Sequence, residues 1–246
     1  MTMKQYLFPT IFFVFSLISS SVFAELPRSF SASYALHYDD LRIGVMERRF
    51  TRNNDGSGMF ESKGKLTGLA ALFRKDQISE SSRFEIKAGQ LRPIQYQYSK
   101  TGGKKEKVEK HRFDWENNKV SSTTNDGNKE SDITRGLLDK LLYQLAIMEV
   151  EEPKAGLEFN IIDGTTLKTY QFAYKGEEEL KTPMGTFQTL KFERVRSKES
   201  DSNNPNKRST ILWSAPSLHN LPIRVDNVDK KGHLTSIVVK KVSGLK

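Results

Sequence analysis

Histidine, the side chain best suited to acid–base catalysis and metal binding near neutral pH, is rare in this sequence. The four histidines are His37, His111, His219 and His233. No two of them have the i, i+4 spacing of a helical metal site, and none has a carboxylate at a motif distance. The chain also lacks a nucleophile elbow, a Walker loop and a dinucleotide-binding fingerprint. We therefore expect a protein that is not an enzyme, with its histidines at surface or turn positions.

One segment has the oxygen-rich composition of a calcium loop, since residues 53–58 read Asn-Asn-Asp-Gly-Ser-Gly. Such a loop needs an acidic residue at its twelfth position, where this chain has Gly64. A hairpin turn explains the segment better. Neighbouring acids such as Asp39 and Asp40 point to opposite faces of a strand, which is a poor arrangement for two catalytic carboxylates. We predict no metal and no cofactor.

Aromatic residues are the main candidates for ligand contact. Many of them occupy alternating positions of extended segments, so they should share one side of a curved sheet. That side is either a packed core or the wall of an elongated cavity, and the pattern leaves both open. For a cavity, the candidate ligand-binding residues are Tyr34, Tyr96, Tyr98, Trp115, Tyr170, Phe172, Trp213 and Arg224.

Arg224 belongs to this set because a guanidinium beside Trp213 could stack on its ring or hold an anionic headgroup. Arg194 and Arg83 are alternatives for the same role. Residues 68–73 (Gly-Leu-Ala-Ala-Leu-Phe) are apolar and too short for a stable isolated helix. We interpret them as a possible flap over an opening.

The N-terminal residues have the three parts of a secretory signal peptide. Lys4 precedes an apolar stretch over residues 6–18, and a run of small residues ends at Ala24. We expect cleavage after Ala24, which leaves residues 25–246 as a single domain in the periplasm of a Gram-negative cell. The chain has no cysteine, so no disulfide stabilises it and a hydrophobic core must suffice. No later apolar run is long enough to span a membrane, so the mature protein is not expected to be an integral membrane protein.

The charge of the chain is strongly basic, with 39 Lys and Arg against 30 Asp and Glu, a formal net charge of +9. A cationic loop over residues 100–107 contains Lys104, Lys105 and Lys107, which we interpret as a surface for an anionic partner. Nucleic acid is not expected outside the cytoplasm. Anionic lipid headgroups or acidic glycans fit better, and the alternative is that the charge serves only solubility.

The dominant pattern after Pro27 is the two-residue alternation of half-buried antiparallel strands. Short alternating runs are separated by turn residues, of which Asp-Gly at 55–56, 126–127 and 163–164 and Lys-Gly at 231–232 tolerate tight hairpins. No βαβ spacing is present. The sequence predicts an all-β fold with one or two helices, an antiparallel meander that forms an open or incomplete β-barrel.

One segment departs from this alternation. Between Asp132 and Val150, six leucine and methionine residues from Leu137 to Met148 recur at helical spacing. Asp132 or Ser131 could cap the helix, and Pro153 should end it. We predict a helix around residues 132–150 that caps or plugs the sheet, with a partner-binding or membrane-surface helix as the alternative.

The order of short motifs resembles a bacterial family of exported proteins, domain of unknown function 3108. The motifs that carry the resemblance are Gly68-Leu69 to Arg74, Glu80-Ser81-Ser82-Arg83-Phe84, Leu91-Arg92-Pro93, Phe113-Asp114-Trp115, Thr182-Pro183-Met184-Gly185-Thr186-Phe187 and Leu221-Pro222-Ile223-Arg224. The resemblance extends from about Tyr34 to Val242. It implies a periplasmic, largely antiparallel β protein similar to an open barrel, and it implies no established activity and no catalytic residues.

These features lead to an ordered set of expectations. The first is a periplasmic protein without catalytic activity that binds an apolar or amphiphilic envelope molecule, a lipid or a lipid-linked glycan, in its curved sheet. The alternative is a structural or interaction protein of the cell envelope with a filled barrel and an envelope protein partner. An enzyme that processes envelope glycans is the third possibility, and it needs two carboxylates that face each other across a cleft.

Overall fold

The computed structural model describes residues 29–39, 41–195 and 208–245. The predicted signal peptide lies outside these residues. The described strands are β1 Ser29–Tyr38, β2 Leu41–Arg52, β3 Ser57–Leu66, β4 Gln77–Lys87, β5 Gln90–Thr101, β6 Lys107–Asp114, β7 Lys119–Thr124, β8 Gly127–Asp132, β9 Leu137–Leu138, β10 Leu157–Asp163, β11 Thr166–Thr182, β12 Gly185–Arg194, β13 Ser209–Ala215, β14 Leu221–Val228 and β15 Leu234–Ser243. Two short α-helices are α1 Leu69–Phe73 and α2 Leu142–Ala146, and 3₁₀ turns cover Ile147–Glu149, Pro153–Ala155 and Pro216–Leu218.

All fifteen strands form one sheet in the order β8-β7-β6-β5-β4-β3-β2-β1-β15-β14-β13-β12-β11-β10-β9. Neighbours are antiparallel except β9 and β10, which run parallel. The first and last described strands pair with each other, Ser31 opposite Ser243 and Leu36 opposite Ile237, and this pairing joins the two halves of the meander. The sheet curves without closing, because β8 and β9 remain at its two edges. The predicted all-β meander and open barrel are confirmed.

The predicted hairpins occur where the glycines were expected. The Asp-Gly pair at 55–56 joins β2 to β3, and the pairs at 126–127 and 163–164 lie at the next two predicted turns. In the first turn Asp55 accepts hydrogen bonds from the backbone nitrogen and the hydroxyl of Ser57, at 2.9 and 2.7 Å. Gly56 has a φ of 84°, a value that a β-branched side chain would not tolerate. These contacts belong to a hairpin turn.

The predicted helix around residues 132–150 is much shorter than its leucine pattern indicated. Asp132 ends strand β8 and forms an ion pair of 2.8 Å with Lys119, so it caps no helix. Leu137 and Leu138 form the short strand β9 beside β10. The helical turns begin only at Leu142 and end at Glu149. The leucine pattern predicted too long a helix, because a buried strand and the buried face of a helix both contain runs of apolar residues.

The interior of the sheet is filled at one end only. Phe50 lies between the rings of Phe30, Phe60 and Phe84, with centroid separations of 5.4, 6.2 and 5.7 Å, the range of favourable aromatic contacts. Leu142 and Leu145 of α2 are completely buried in the same core. The helix therefore packs inside the curved sheet, as predicted for a helix that plugs the sheet. We call this filled region the closed end.

Candidate functional site

The opposite end of the barrel contains an open cavity of about 770 Å³. Its rim is formed where β1 turns into β2, β3 connects to β4, β5 turns into β6 and β14 turns into β15. We call this rim the mouth. The volume lies inside the range of roughly 300–1,000 Å³ that is typical of sites for small organic ligands.

Aliphatic side chains form a large part of the cavity wall. They alternate with outward-facing residues along each strand, so every second position contributes a side chain to the interior. The aliphatic wall residues are Leu36, Ile43, Met46, Ile78, Leu212, Val225 and Ile237. They come from six different strands, which the curvature of the sheet brings together around the cavity. Such a wall favours hydrocarbon over water.

A row of polar residues crosses the base of this apolar cup. In the strand register Arg48 lies opposite Ser62, Ser62 opposite Glu80, and Glu80 opposite Tyr98. Arg48, Ser62 and Glu80 line the cavity. The adjacent layer towards the closed end contains Phe50 and Phe60, so the row marks the floor of the cavity. The site is amphiphilic, with charge at its base and hydrocarbon along its walls.

Arg48 is the most unusual member of this row, since it is only 5% exposed. Its guanidinium lies 5.0 Å from the centroid of the Tyr34 ring, and its Nε has no hydrogen-bond partner. No carboxylate of the described residues lies within 4 Å of it. An arginine at an inward position between Met46 and Phe50 breaks the apolar alternation of β2, and this irregularity was the available sequence signal.

Glu80 is the acidic member of the row. Its carboxylate accepts a hydrogen bond of 2.5 Å from the Tyr96 hydroxyl. Burial raises the pKa of Glu80, while the Tyr96 hydroxyl and the charges of Lys140 and Arg48 act in the opposite direction. Glu80 is not predictable from the sequence, because a single inward-facing glutamate has no motif around it.

Two aromatic hydroxyls and a second arginine line the wall above the floor. Arg194 lies 3.5 Å from the centroid of the Tyr170 ring. Burial raises the pKa of Tyr143 to about 12, with a further increase from Tyr170, whereas the charges of Arg194 and Arg48 lower it. Both guanidinium groups are therefore within electrostatic range of the Tyr143 hydroxyl.

Helix α1 lies at the mouth, where Ala70 and Phe73 line the cavity. It follows Gly68, whose φ of 62° reverses the chain, and none of its residues is buried. Leu69 and Leu72 are 77% exposed and Phe73 is 85% exposed. The segment interpreted as a flap thus lies beside an opening, and its apolar side chains point into solvent.

A buried ion network supports the wall next to Lys140. The Lys140 ammonium lies 2.6 Å from Glu109 and 3.1 Å from Asp163. Glu109 also accepts a hydrogen bond from the backbone nitrogen of Gly164 at 2.8 Å. Burial opposes ionisation of Glu109, but His111, Lys140 and Gly164 outweigh it and lower its pKa to about 2. The network ties β6 to the β10–β11 hairpin.

His111 corrects the expectation that the histidines occupy surface or turn positions. It is buried on β6, with Nδ1 2.9 Å from the Ser122 hydroxyl and Nε2 3.0 Å from Glu109. This serine–histidine–carboxylate chain has the order of a hydrolase triad. However, all three side chains are buried and none lines the cavity, so a substrate has no path to the hydroxyl. The hydrogen bonds of these three side chains connect β6 and β7 within the core.

The sequence-derived ligand candidates are divided by the structure. Tyr170 and Phe172 line the cavity. Tyr34 and Tyr96 are completely buried and do not line the cavity, and the Tyr34 hydroxyl donates to the carbonyl of Pro222 at 3.1 Å. Tyr98 is half-buried beside Lys107 and Lys140 and lies outside the cavity lining.

The remaining candidates lie away from the cavity. Trp115 follows the end of β6 and donates to the Pro93 carbonyl at 2.8 Å. Leu212 faces inward, so Trp213 on the same strand faces outward, where it donates to Glu178. Arg224 lies 5.1 Å from the Trp213 ring and forms a bidentate pair with Asp226. The stacking of Arg224 on Trp213 occurs as expected, but on the outer face of the sheet.

The cationic loop lies at the mouth, next to α1. Gly102 and Gly103 pack so closely on the Lys75 carbonyl and the Asp76 carboxylate that a Cβ would not fit. Lys104 and Lys105 are exposed at its tip, whereas Lys107 begins β6 and lies 3.8 Å from Glu109. Two features that the sequence showed separately, the apolar hexamer and the cationic loop, are therefore neighbours.

Residues 29–39, 41–195 and 208–245 contain neither a metal-binding cluster nor a membrane-spanning helix. No three His, Asp or Glu side chains there come together as ligands for a metal ion. No helix there is both long enough and apolar enough to cross a membrane.

Comparison with solved structures relates this architecture to known folds. A beta-barrel-like protein of domain of unknown function DUF1849 from Brucella abortus aligns with a TM-score of 0.54 at 8% identity, over 88% of this chain and 98% of its own. A Parabacteroides distasonis protein, provisionally described as a lipoprotein, aligns with a TM-score of 0.36 at 12% identity, over 90% and 98% of the two chains. A Bacteroides fragilis protein, provisionally described as exported and with a YmcC-like fold, gives 0.34 at 9% identity, over 87% and 95%. The likeness to the Brucella abortus protein is one of fold.

Sequence comparison gives a more direct assignment. No curated protein matches the sequence. The model of a family described as protein of unknown function (DUF3108) matches residues 33–239, most of the chain and nearly the span over which the short motifs resemble that family. The chain belongs to the DUF3108 family.

Proposed function

We propose that this protein is a non-catalytic, exported binding protein whose cavity holds an apolar or amphiphilic lipid of the cell envelope. The observation that carries the proposal is the open cavity of about 770 Å³ with aliphatic walls and a polar floor. Water gains little from such walls, whereas a hydrocarbon chain that replaces it removes apolar surface from solvent, worth about 25 cal/mol per Å². The hollow mouth end also favours a binding role over a filled structural barrel.

The cellular location in this proposal is the periplasm. It is supported by the N-terminal sequence pattern of a cleaved signal peptide. An envelope location would supply lipids and lipid-linked glycans as ligands. Among these, the aliphatic part of the cavity wall favours the lipid part of the ligand as the group that enters.

The absence of catalysis is part of the proposal. The hydrolase-like chain of Ser122, His111 and Glu109 is buried and does not line the cavity. Glu80 is the acidic group of the floor, and the other carboxylate of the lining, Asp76, pairs with Arg74 and Lys100 at the mouth. A glycan-hydrolysing site needs two carboxylates across a cleft, and this separation of roles does not provide it.

A cavity-filling variant with a matched control tests the proposal. Leu212 points into the cavity and the adjacent Ile211 points outward on the same strand. Protein purified from the periplasm is analysed by native mass spectrometry, and binding of oleyl alcohol is measured by displacement of a fluorescent lipid. We expect a copurifying lipid and displaceable binding in the parent and in Ile211→Trp, and a large loss in Leu212→Trp. Equal binding by both variants, or no bound or displaceable lipid in the parent, would refute the proposal.

A further inference from the structure

The cationic groups of the cavity differ in how well they are neutralised. The lining contains Lys65, Arg48, Arg74, Lys100, Lys140 and Arg194. Arg74 and Lys100 pair with Asp76 at 2.7 and 3.4 Å, and Lys140 pairs with two carboxylates. For Arg48 and Arg194, the described residues offer no carboxylate within 4 Å. Their contacts are the rings of tyrosines.

Arg48 is the cation of the lining whose position best fits an anionic ligand. A buried cation without a counter-ion costs several kcal/mol, because its hydration is lost and nothing replaces it. Glu80 lies on the same floor but bonds to the Tyr96 hydroxyl and stays outside the 4 Å range of the guanidinium. The Nε of Arg48 has no acceptor although it is fully covered by the protein. An anion at the floor would supply the missing counter-charge to this guanidinium, because Arg48 lines the cavity.

We propose that the ligand is an anionic amphiphile whose headgroup binds Arg48 at the floor and whose hydrocarbon chain extends along the aliphatic wall towards the mouth. The inference deepens the proposed function and rests on it. Carboxylate and phosphate headgroups share the required chemistry, since both accept the paired N–H donors of a guanidinium. Arg194 and the Tyr143 hydroxyl, which face the same space, provide a second cation and a neutral donor.

The experiment compares three probes and two variants. Oleate carries charge and tail, oleyl alcohol has the same tail without charge, and inorganic phosphate has charge without a tail. Arg48→Met removes the guanidinium and keeps a linear apolar side chain, and Arg49→Met makes the same change at the next residue, which is exposed on the outer face of β2. Affinities come from displacement of a fluorescent lipid and from calorimetry. Thermal unfolding without ligand is measured in parallel.

We expect Arg48→Met to weaken oleate binding about ten-fold or more, the effect of losing one charge-assisted contact, and to leave oleyl alcohol binding within about two-fold. Arg49→Met should change neither affinity. Without ligand, Arg48→Met should unfold at the same or a higher temperature, because an uncompensated charge has been removed from the interior.

Other outcomes would overturn the inference in distinguishable ways. An unchanged oleate affinity in Arg48→Met, or equal losses for oleate and oleyl alcohol, would show that Arg48 does not recognise a headgroup. Phosphate binding as tight as that of oleate would identify a free anion as the ligand. If the parent binds oleyl alcohol but shows no preference for oleate, the lipid cavity stands and the headgroup site falls. If it binds neither, the proposed function falls as well.

A second inference rests on the surface of the mouth and does not depend on Arg48. Leu69, Leu72 and Phe73 of α1 form an exposed apolar patch, and Leu41 at the start of β2 adds to it with 71% exposure. Single exposed apolar residues are common, but four large ones around an opening are the usual sign of an interaction surface.

The charge around this patch identifies its partner. Lys65, Arg74 and Lys75 flank α1 in sequence, and Lys104 and Lys105 lie in the adjacent loop. Among the nearby acids, Asp76 pairs with Arg74, whereas the exposed Glu106 of the same loop offsets one lysine charge. Apolar side chains within a basic rim match an anionic bilayer, where each cation near the surface contributes about 1 kcal/mol.

We infer that the mouth docks on a bilayer rich in anionic lipid, with the side chains of α1 inserted among the headgroups. Flotation with phosphatidylglycerol–phosphatidylcholine vesicles tests this, with pure phosphatidylcholine vesicles for comparison. We expect binding to anionic vesicles only, its loss in Leu69→Ser/Leu72→Ser/Phe73→Ser, and at least a five-fold reduction in Lys104→Glu/Lys105→Glu. The control Lys87→Glu/Lys181→Glu places the same charge change on exposed positions near turns of the closed end and should bind normally.

Three results would contradict membrane docking. The first is a parent protein that does not float with anionic vesicles. The second is a serine variant that floats as well as the parent. The third is an equal loss of binding in both charge variants. A dimer in light scattering that the serine variant abolishes would assign the patch to a second copy of the chain instead.

Discussion

At the scale of single residues, the interior of β6 combines groups that sequence patterns treat as surface residues. Glu109 is buried between His111 and Lys140, and its carboxylate accepts a hydrogen bond from the backbone nitrogen of Gly164. Its carboxylate is therefore held in the charged form by three donors. No sequence motif reveals this arrangement, because the three partners lie 2, 31 and 55 residues from Glu109 along the chain. Only the strand pairing brings them together.

Glu109→Gln should destabilise the protein and reduce its acid sensitivity. The folded-state pKa of about 2 lies below the ordinary value of 4.5, so the contribution to stability is complete above pH 4.5 and is lost as the pH falls through 2. We expect a loss of about 2–3 kcal/mol at pH 7, which shrinks as the pH falls. Urea unfolding at several pH values measures it, with exposed Glu179→Gln as control. A loss that is the same at pH 3 and pH 7 would contradict the ionic role.

Asp139 has the opposite pH behaviour. It accepts hydrogen bonds from the backbone nitrogens of Leu141 and Leu142 and from the Ser82 hydroxyl, so it is the residue that caps α2. Burial raises its pKa to about 7, and these hydrogen bonds counteract the rise only in part. The predicted caps, Asp132 or Ser131, lie seven or eight residues earlier, because the leucine run begins before the helix does.

Asp139→Asn should keep the cap and remove the pH dependence. Since the folded-state pKa is raised from 3.8, the contribution of Asp139 is complete below about pH 4 and is lost as the pH rises through 7. The stability of the Asn variant relative to the parent should therefore increase by about 2 kcal/mol or more from pH 4 to pH 8. Urea unfolding over this range measures the difference, and Asp126→Asn in an exposed turn should show none. A constant difference would contradict the burial of an ionisable acid.

At the scale of elements, hairpins were easier to predict than the strands with few apolar residues. Asp-Gly pairs mark turns through backbone conformation, which is a local property. The alternation of apolar residues does not predict strand β3, because its buried positions are Gly58, Phe60, Ser62 and Gly64, of which only Phe60 is a large apolar residue. Strands β7 and β8 were missed because they are short and polar. In all three, hydrogen bonds to neighbouring strands supply the stabilisation that side-chain pattern does not reveal.

Two glycines on β3 give a matched test of this element. A Cβ on Gly58 would overlap the Phe84 ring and the Thr51 carbonyl oxygen, whereas at Gly64 it would lie 3.7 Å from the nearest atom, in Met46. Gly58→Ala should cost about 2–3 kcal/mol by overpacking. Gly64→Ala should be neutral or stabilise by up to about 1 kcal/mol, because it reduces the freedom of the unfolded chain. Denaturant midpoints compare the two, and equal values would contradict the packing at the closed end.

At the scale of the whole molecule, the two ends of one sheet have different interiors. Alternation predicted the meander and left open whether its inner side is packed or hollow. The structure has both, because phenylalanine rings and α2 fill the closed end and smaller aliphatic residues line the mouth. This division depends on how far α2 reaches into the barrel and on the pairing of distant strands, and neither is written in a local pattern. The cavity is a property of the assembled sheet.

The pairing of β1 with β15 holds this assembly together and can be tested by a covalent link. Ser31 and Ser243 are direct partners in the register, and their hydroxyl oxygens lie 2.8 Å apart across a separation of 212 residues. The chain has no native cysteine, so Ser31→Cys/Ser243→Cys can form one intramolecular disulfide. A bridge that closes so long a loop should stabilise by about 2–4 kcal/mol. Urea unfolding with and without reductant measures this gain in stability. Each single cysteine variant serves as control. A double variant that stays reduced under oxidising conditions would contradict the pairing that joins the two halves of the barrel.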